Sequence, residues 1–186
     1  MRTIRPGTRE DLPRIMEIYG RARAFMAAHG NPNQWGESWP PKSLIEQDIA
    51  QGHCYVCDED GRTVAVFYYN YAEDPYYRKI EDGAWIGDED YAVVHRIAAD
   101  GAGKGIGSFC ISWAFQQHPH LRMDTHGDNK VMQGMLTKNG FRRCGTVHVP
   151  EDDMPRIAFE KIAEEQRSFS HNRSRSADPY TLNQGV

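Results

Sequence analysis

The chain has few cysteines and lacks a long apolar run. Only four of its 186 residues are cysteine, which does not make a disulfide scaffold in a chain of this length. Cys54 and Cys57 have the C-x-x-C spacing of a metal or redox site, but a second pair is missing. They lie on a predicted strand, where their side chains face opposite sides. No apolar run approaches the roughly 18 residues of a membrane span, and residues 1–5 lead directly into fold-like sequence. We therefore expect a cytoplasmic protein with no signal peptide and no bound metal.

The chain also lacks a strong excess of either charge. Its formal net charge is −4, which provides no general attraction to nucleic acid or to an anionic membrane, and we expect neither as a partner. Residues 166–176 are rich in serine and arginine and show no apolar periodicity. We therefore expect one domain at residues 1–163, followed by a polar Ser/Arg-rich C-terminal tail at 164–186. The sequence leaves a homodimer open.

Apolar periodicity divides the domain into strands and helices. Leu12, Ile15 and Tyr19 begin one helical face, and Pro41 suits the first turn of a short helix that reaches about Gln51. The other predicted elements are a β-hairpin at 53–70, strands at 91–98 and 121–126, helices at 105–117 and 129–139, and a closing strand pair near 141–149 and 155–161. Strands with intervening helices predict an α/β fold with a mixed, partly antiparallel sheet flanked by helices.

A glycine-rich segment joins a predicted strand to a predicted helix. Its sequence is Ala102-Gly103-Lys104-Gly105-Ile106-Gly107-Ser108. Glycines let the backbone approach a ligand, and the first N–H groups of a helix attract anions, so this arrangement suits a pyrophosphate. A tight turn alone also favours glycine, but the alternation of three glycines around a lysine favours a ligand. The P-loop and the dinucleotide-binding fingerprint do not fit, because Gly-Lys-Ser and Gly-Lys-Thr are absent and Ile106 stands at the third fingerprint glycine.

Three motifs occur along roughly residues 2–162. They are the glycine loop, an Asn129-initiated helix that ends in Gly140-Phe141, and the entry Ile4-Arg5-Pro6 followed by 8–12. Together they resemble the GNAT family of N-acetyltransferases. Gly105 and Gly107 match the family's acyl-CoA pattern [QR]-x-x-G-x-[GA], while Ala102 stands where glutamine or arginine is usual. The resemblance implies the GNAT-like acyl-CoA N-acyltransferase fold, with acetyl-CoA as acyl donor. It also implies transfer to a primary amine of a small molecule or peptide, by direct attack in a ternary complex.

The resemblance also implies where the acyl donor lies. The strand before the loop and the next strand splay apart in this family, and pantetheine lies in the gap with backbone contacts from Ile97. The pyrophosphate would contact Ala102, Gly103, Lys104, Gly105, Ile106, Gly107 and Ser108. Asn129 would reach the pantetheine or phosphate side, act as a helix N-cap, or do both. Leu136 stands where many members carry a tyrosine general acid. This leaves the acid unassigned and supports an alternative function, an acyl-CoA-binding regulatory module with little or no turnover.

Two histidines lie near the expected cleft. His126 ends a predicted strand close to Asp124, and we predict that His126 accepts the proton of the amine while Asp124 orients it. His95 is the alternative base. His95 is equally compatible with a buried, hydrogen-bonded strand position, and His126 with a turn.

An aromatic and acidic set is predicted to bind the acceptor. Trp35 and Trp39 follow the first helix, and Glu81 and Trp85 lie in the long segment 72–90. Such a lining suits a cationic amine through charge pairing and cation–π contacts. The same composition is compatible with loops that pack on the core and expose their carboxylates to solvent.

Overall fold

The computed structural model describes residues 1–150 and 154–163. The described chain forms one seven-stranded sheet with the order β1-β2-β3-β4-β5-β7-β6. The strands are β1 (Arg2–Pro6), β2 (Cys54–Glu59), β3 (Arg62–Asn70), β4 (Ala92–Ala99), β5 (His120–His126), β6 (Arg142–Val147) and β7 (Arg156–Ile162). The helices are α1 (Leu12–Ala28), α2 (Lys42–Ala50), α3 (Ile106–Gln117) and α4 (Lys130–Lys138). The polar tail predicted at 164–186 lies outside the described residues.

The sheet is mixed, as the sequence predicts. β4 and β5 are parallel, and the other neighbouring strands pair antiparallel. Helices cover both faces. One apolar cluster contains Ile15 of α1 and Ile45 of α2, and another contains Ile111 of α3 and Leu136 of α4. Cys54 belongs to the first cluster and Cys57 to the second, which confirms that their side chains face opposite sides of the sheet.

The amino-terminal strand is joined to the start of α1 by a two-pronged ion pair. Arg5 donates to both carboxylate oxygens of Asp11, at 2.7 and 2.8 Å. Asp11 also accepts from the backbone N–H of Thr8 at 2.8 Å, so a Thr8–Asp11 capping contact is present. The hydrogen bonds from Arg5 lower the pKa of Asp11 from its ordinary 3.8 to about 2.

We expect Asp11→Asn to lower the free energy of unfolding at neutral pH by about 1–2 kcal/mol. Because folding depresses the pKa of Asp11, the wild-type advantage is complete above its ordinary pKa. It is lost as the pH falls from about 4 towards about 2. Urea denaturation across this range measures the difference. Asp88→Asn, which changes an exposed carboxylate, is the control and should show no such convergence with the wild-type.

The long segment 72–90 is held to the sheet by a buried charged cluster. Glu160 of β7 accepts from Arg122 at 2.9 Å and lies 2.6 Å from His120 Nε2. The Arg122 guanidinium lies between the rings of Trp85 and Tyr91, 4.2 and 4.0 Å from their centroids. These contacts give a segment without regular periodicity a defined place beside the cleft.

Candidate active site

A cleft opens between β4 and β5 because these strands pair only at their beginnings. In the described chain the two pairs are Ala92↔Leu121 and Val93↔Arg122. Beyond Val93 the strands diverge, and residues 93–99 line a cavity of about 820 Å³. The cavity extends from the glycine loop at one end to residues 72–76 at the other. This is the splayed arrangement that the family resemblance implies.

A β-bulge in β4 lies in the middle of this cleft. Val66 of β3 pairs with Ala98, whereas Tyr68 pairs with His95, so β4 contains one extra residue. Arg96 adopts φ +53° at this point, a backbone conformation that is uncommon for a side chain of this size. The Arg96 side chain donates to the buried Asp48 of α2 at 2.7 Å. Bulges bend a strand and increase its twist, which favours the divergence of β4 from β5.

The glycine loop has the backbone geometry of a tight strand-to-helix turn. Gly105 is the N-cap of α3 and has φ +75°, a conformation that glycine adopts at little cost. The N–H groups of the first turn of α3 have no partner within the helix. Gly103 and Gly107 line the cleft, while Ala102 and Lys104 are exposed.

The remaining predicted loop residues contact the protein itself. The side chain of Ile106 is buried in the core, so only its backbone is available to a ligand. The hydroxyl of Ser108 accepts a hydrogen bond from Asn139 at 2.9 Å. Ile97 lies on β4, lines the cleft and is 9% exposed.

Asn129 is the N-cap of α4 and also contacts the loop between α1 and α2. Its side-chain oxygen accepts from the backbone N–H of Met132 at 3.0 Å, as expected of an N-cap. Its Nδ2 donates to Oε1 of Gln34 at 2.9 Å. Asn129 lines the cleft as well, so the structure allows both roles considered for it. Leu136, two turns further along α4, is fully buried in the core. The position taken by a tyrosine in many relatives therefore faces away from the cleft in this chain.

His95 lies in the cleft between two carboxylates. Its Nε2 is 2.9 Å from Asp74 Oδ2, and its Nδ1 is 3.7 Å from Asp124 Oδ1. Burial favours a higher pKa for Asp74, but the hydrogen bond and charge of His95 outweigh it and lower that pKa below the ordinary value. An ionised Asp74 can only accept a hydrogen bond, so Nε2 of His95 carries a proton, and Nδ1 is the ring nitrogen that faces Asp124.

Asp124 is held by two other donors. Tyr77 donates to Oδ1 at 2.6 Å, and Arg156 donates to Oδ2 at 3.2 Å. Burial and the nearby charge of Asp124 raise the pKa of Tyr77 well above its ordinary value, so Tyr77 remains a donor. The structure thus brings Asp124 together with His95. His126, the predicted base, is 2% exposed, and it is not among the residues that line the cleft.

The residues predicted to bind the acceptor amine divide into two groups. Trp35 and Trp39 line the cleft, as do Tyr68 and Tyr76. Glu81 and Trp85 lie elsewhere. Glu81 pairs with Lys79 at 2.5 Å and bridges to Thr146, and Trp85 donates to the carbonyl of Tyr77 at 2.8 Å. The acidic groups beside His95 are instead Asp74 and Asp124, while Glu73 lines the cleft and pairs with Arg78 at 2.8 Å.

The partners of several polar residues in and beside the cleft escaped the sequence analysis. Asp74 and Tyr77 lie in the irregular segment 72–90, and Gln34 lies in the loop after α1. Their chemistry depends on contacts with residues 21 to 95 positions away. Only the polar loop composition around them was visible in the sequence.

Among residues 1–150 and 154–163, no group of three or more His, Cys, Asp or Glu side chains has the arrangement of a metal site. No helix in the same part of the chain has the length and apolar character needed to cross a membrane.

The fold matches solved acetyltransferase structures. The sequence matches no protein-family model and no curated protein. An acetyltransferase of the GNAT family from Streptococcus agalactiae is 31% identical, with a TM-score of 0.80, over 88% of this chain and 96% of that one. A GNAT-family acetyltransferase from Listeria monocytogenes shares the fold at 16% identity, with a TM-score of 0.65 over 87% of this chain and 95% of the other. The ribosomal-protein-S18-alanine N-acetyltransferase from Escherichia coli does so at 16% identity and a TM-score of 0.58, over 89% and 97%. The chain therefore belongs to the GNAT family of acetyltransferases, and the predicted family and fold are confirmed.

Proposed function

We propose that this protein transfers an acetyl group from acetyl-CoA to a primary amine by direct attack within a ternary complex. The observation that carries the proposal is one continuous cleft with a glycine loop at one end and the Asp74–His95 pair towards the other. The diverging edge of β4 supplies backbone groups for an extended pantetheine arm. The loop and the start of α3 supply N–H groups for the pyrophosphate.

The acceptor end of the cleft suits a positively charged amine. Glu73, Asp74 and Asp124 supply negative charge there, and Tyr68 and Tyr76 supply aromatic faces. Carboxylates attract an ammonium group, but only a neutral amine is a nucleophile, so the site also needs a proton acceptor. This supports a small molecule or a peptide amine as acceptor.

We assign the proton acceptor to Nδ1 of His95. Asp74 fixes the proton on Nε2, which leaves the Nδ1 lone pair available in the neutral ring. An ammonium group beside Nδ1 and Asp124 Oδ1 can donate to both atoms, because they are 3.7 Å apart. This places the base where the sequence analysis placed its alternative, and leaves His126 outside the cleft lining.

The proposed reaction needs no covalent intermediate between the acetyl group and the protein. The amine nitrogen forms a bond to the carbonyl carbon, and the carbonyl π electrons move to oxygen. Collapse of the tetrahedral species restores the carbonyl and breaks the carbon–sulfur bond, whose electron pair leaves on sulfur. His95 takes one proton from the ammonium before the attack, and the nitrogen loses a second proton to solvent as the tetrahedral species collapses. The thiolate can leave unprotonated, because an ordinary thiol pKa is about 8.5.

Release of free thiol tests this function. Protein mixed with acetyl-CoA and a panel of primary amines should release thiol in proportion to acetylated amine, both measured over time. Tight CoA binding by calorimetry without thiol release or acetylated product from any amine would contradict the proposal. That result would support the regulatory module that binds acyl-CoA without turnover.

A further inference from the structure

Gln34 lies at a hydrogen-bond junction that joins three parts of the fold. Its Oε1 accepts from Asn31 Nδ2 at 2.9 Å, from Asn129 Nδ2 at 2.9 Å and from Thr125 Oγ1 at 3.3 Å. Asn129 uses its own oxygen to cap α4, so its Nδ2 must face Gln34. The donors therefore determine which end of the Gln34 amide is the oxygen.

The other end of the amide is a pair of donors without an acceptor. Nε2 of Gln34 makes no hydrogen bond within residues 1–150 and 154–163. Gln34 is only 9% exposed and lines the cleft. Nε2 is not fully buried, so its N–H groups reach the space of the cleft and can donate to a molecule bound there. An amide held rigidly in this way therefore points to a ligand acceptor.

The position of the junction identifies which part of the ligand lies near it. Thr125 belongs to β5, and Asn129, which lines the cleft, precedes α4, so the junction lies on the side of the gap opposite β4. That gap is where the proposed function places the acyl-donor arm. His95 lines the same cleft from the β4 side.

We propose that Gln34 Nε2 donates a hydrogen bond to the carbonyl oxygen of the acyl thioester. The inference rests on the acyl-CoA function proposed above. Negative charge develops on this oxygen when the amine adds to the carbonyl carbon, and the charge returns to the carbonyl π bond when the carbon–sulfur bond breaks. A donor fixed before the reaction stabilises that charge without reorganisation. The junction that holds Oε1 supplies the rigidity.

Gln34→Glu tests the donor separately from the junction. The carboxylate keeps an oxygen for Asn31, Thr125 and Asn129, and it replaces the N–H groups with a second acceptor. The probes are two unreactive ligands: the ketone analogue of acetyl-CoA with CH₂ in place of sulfur, and S-ethyl-CoA, which has no carbonyl. The wild-type protein should bind the ketone about 5–20-fold more tightly than S-ethyl-CoA. In Gln34→Glu this ratio should fall to about one, and kcat should fall about 10²–10³-fold.

Two further variants make the test decisive. Gln117→Glu adds the same charge at the exposed end of α3 and should keep the wild-type ratio. Gln34→Met removes the donors without adding charge and should also abolish the preference, while thermal unfolding reports any loss of the junction. A wild-type ratio in both Gln34 variants, or no carbonyl preference in the wild-type protein, would overturn the inference and leave the acyl-CoA function standing. Failure of both ligands and of CoA to bind the wild-type protein would overturn the two together.

Discussion

Gly105→Val should abolish CoA binding, with the dissociation constant raised by about 100-fold or more, equivalent to about 2.7 kcal/mol. Gly105 has φ +75° as the N-cap of α3. A β-branched residue is strongly disfavoured in this conformation. The loop must then change shape, and the N–H groups of the first turn lose their alignment toward the pyrophosphate. Calorimetric titration with CoA measures the loss.

Two variants separate the backbone effect from other causes. Gly52→Val introduces the same side chain at φ +76° in a turn outside the cleft lining, so it should destabilise the fold but leave CoA affinity unchanged. Lys104→Ala removes the exposed charge of the loop and should cost about 1 kcal/mol or less of binding free energy. If Lys104→Ala weakened binding as much as Gly105→Val, side-chain charge and not the backbone would hold the phosphates. Gly107→Val is a poorer test, because its Cβ would lie 2.6 Å from Met135 Sδ of α4.

His95→Ala should lower kcat by about 10²–10⁴-fold, the range expected for loss of a general base. The affinity for CoA should stay nearly unchanged, because the glycine loop lies at the other end of the cleft. Because a general base acts only in its unprotonated form, the pH profile of kcat in the wild-type enzyme should have an acidic limb, and this limb should disappear in the variant. A pH–rate profile of kcat, with melting temperatures as a check on folding, makes both measurements.

Two further variants, Asp74→Asn and His126→Ala, test whether His95 is the general base. An amide at position 74 can donate to Nε2 of His95, which moves the ring proton to Nδ1 and removes the acceptor, so this variant should resemble His95→Ala. His126→Ala should keep the acidic limb, because His126 is buried outside the cleft lining. Loss of the acidic limb in His126→Ala but not in His95→Ala would show that His126, and not His95, is the general base. An unchanged limb in all three variants would mean that bulk water supplies an already neutral amine.

Much of the fold was predictable because local patterns and tertiary structure agree. The glycine loop, the helix begun by Asn129 and the strand before the loop occur close to their predicted positions. Each depends on short-range rules: glycine at a positive φ, asparagine at an N-cap, and apolar residues repeated at the period of their element. The predicted alternation along β2 also placed Cys54 and Cys57 on opposite faces of the sheet.

The identity of the polar partners was not predictable in the same way. Asp124 was expected to orient His126, two residues along the same strand, yet its partners are Tyr77, Arg156 and His95. The bulge at Arg96 also has no local signal, since arginine does not favour a positive φ.

The sequence by itself therefore determined the class of fold and the family, and it located the glycine loop that we propose binds the phosphates of the acyl donor. Only the tertiary structure decided which side chains meet in the cleft. It joined Asp74 to His95, left His126 outside the lining, and placed Gln34 between Thr125 and Asn129. The physical reason is that backbone conformation follows neighbours within a few residues. A hydrogen bond between side chains, in contrast, depends on distances of a few ångströms between segments that only the folded sheet and its loops bring together.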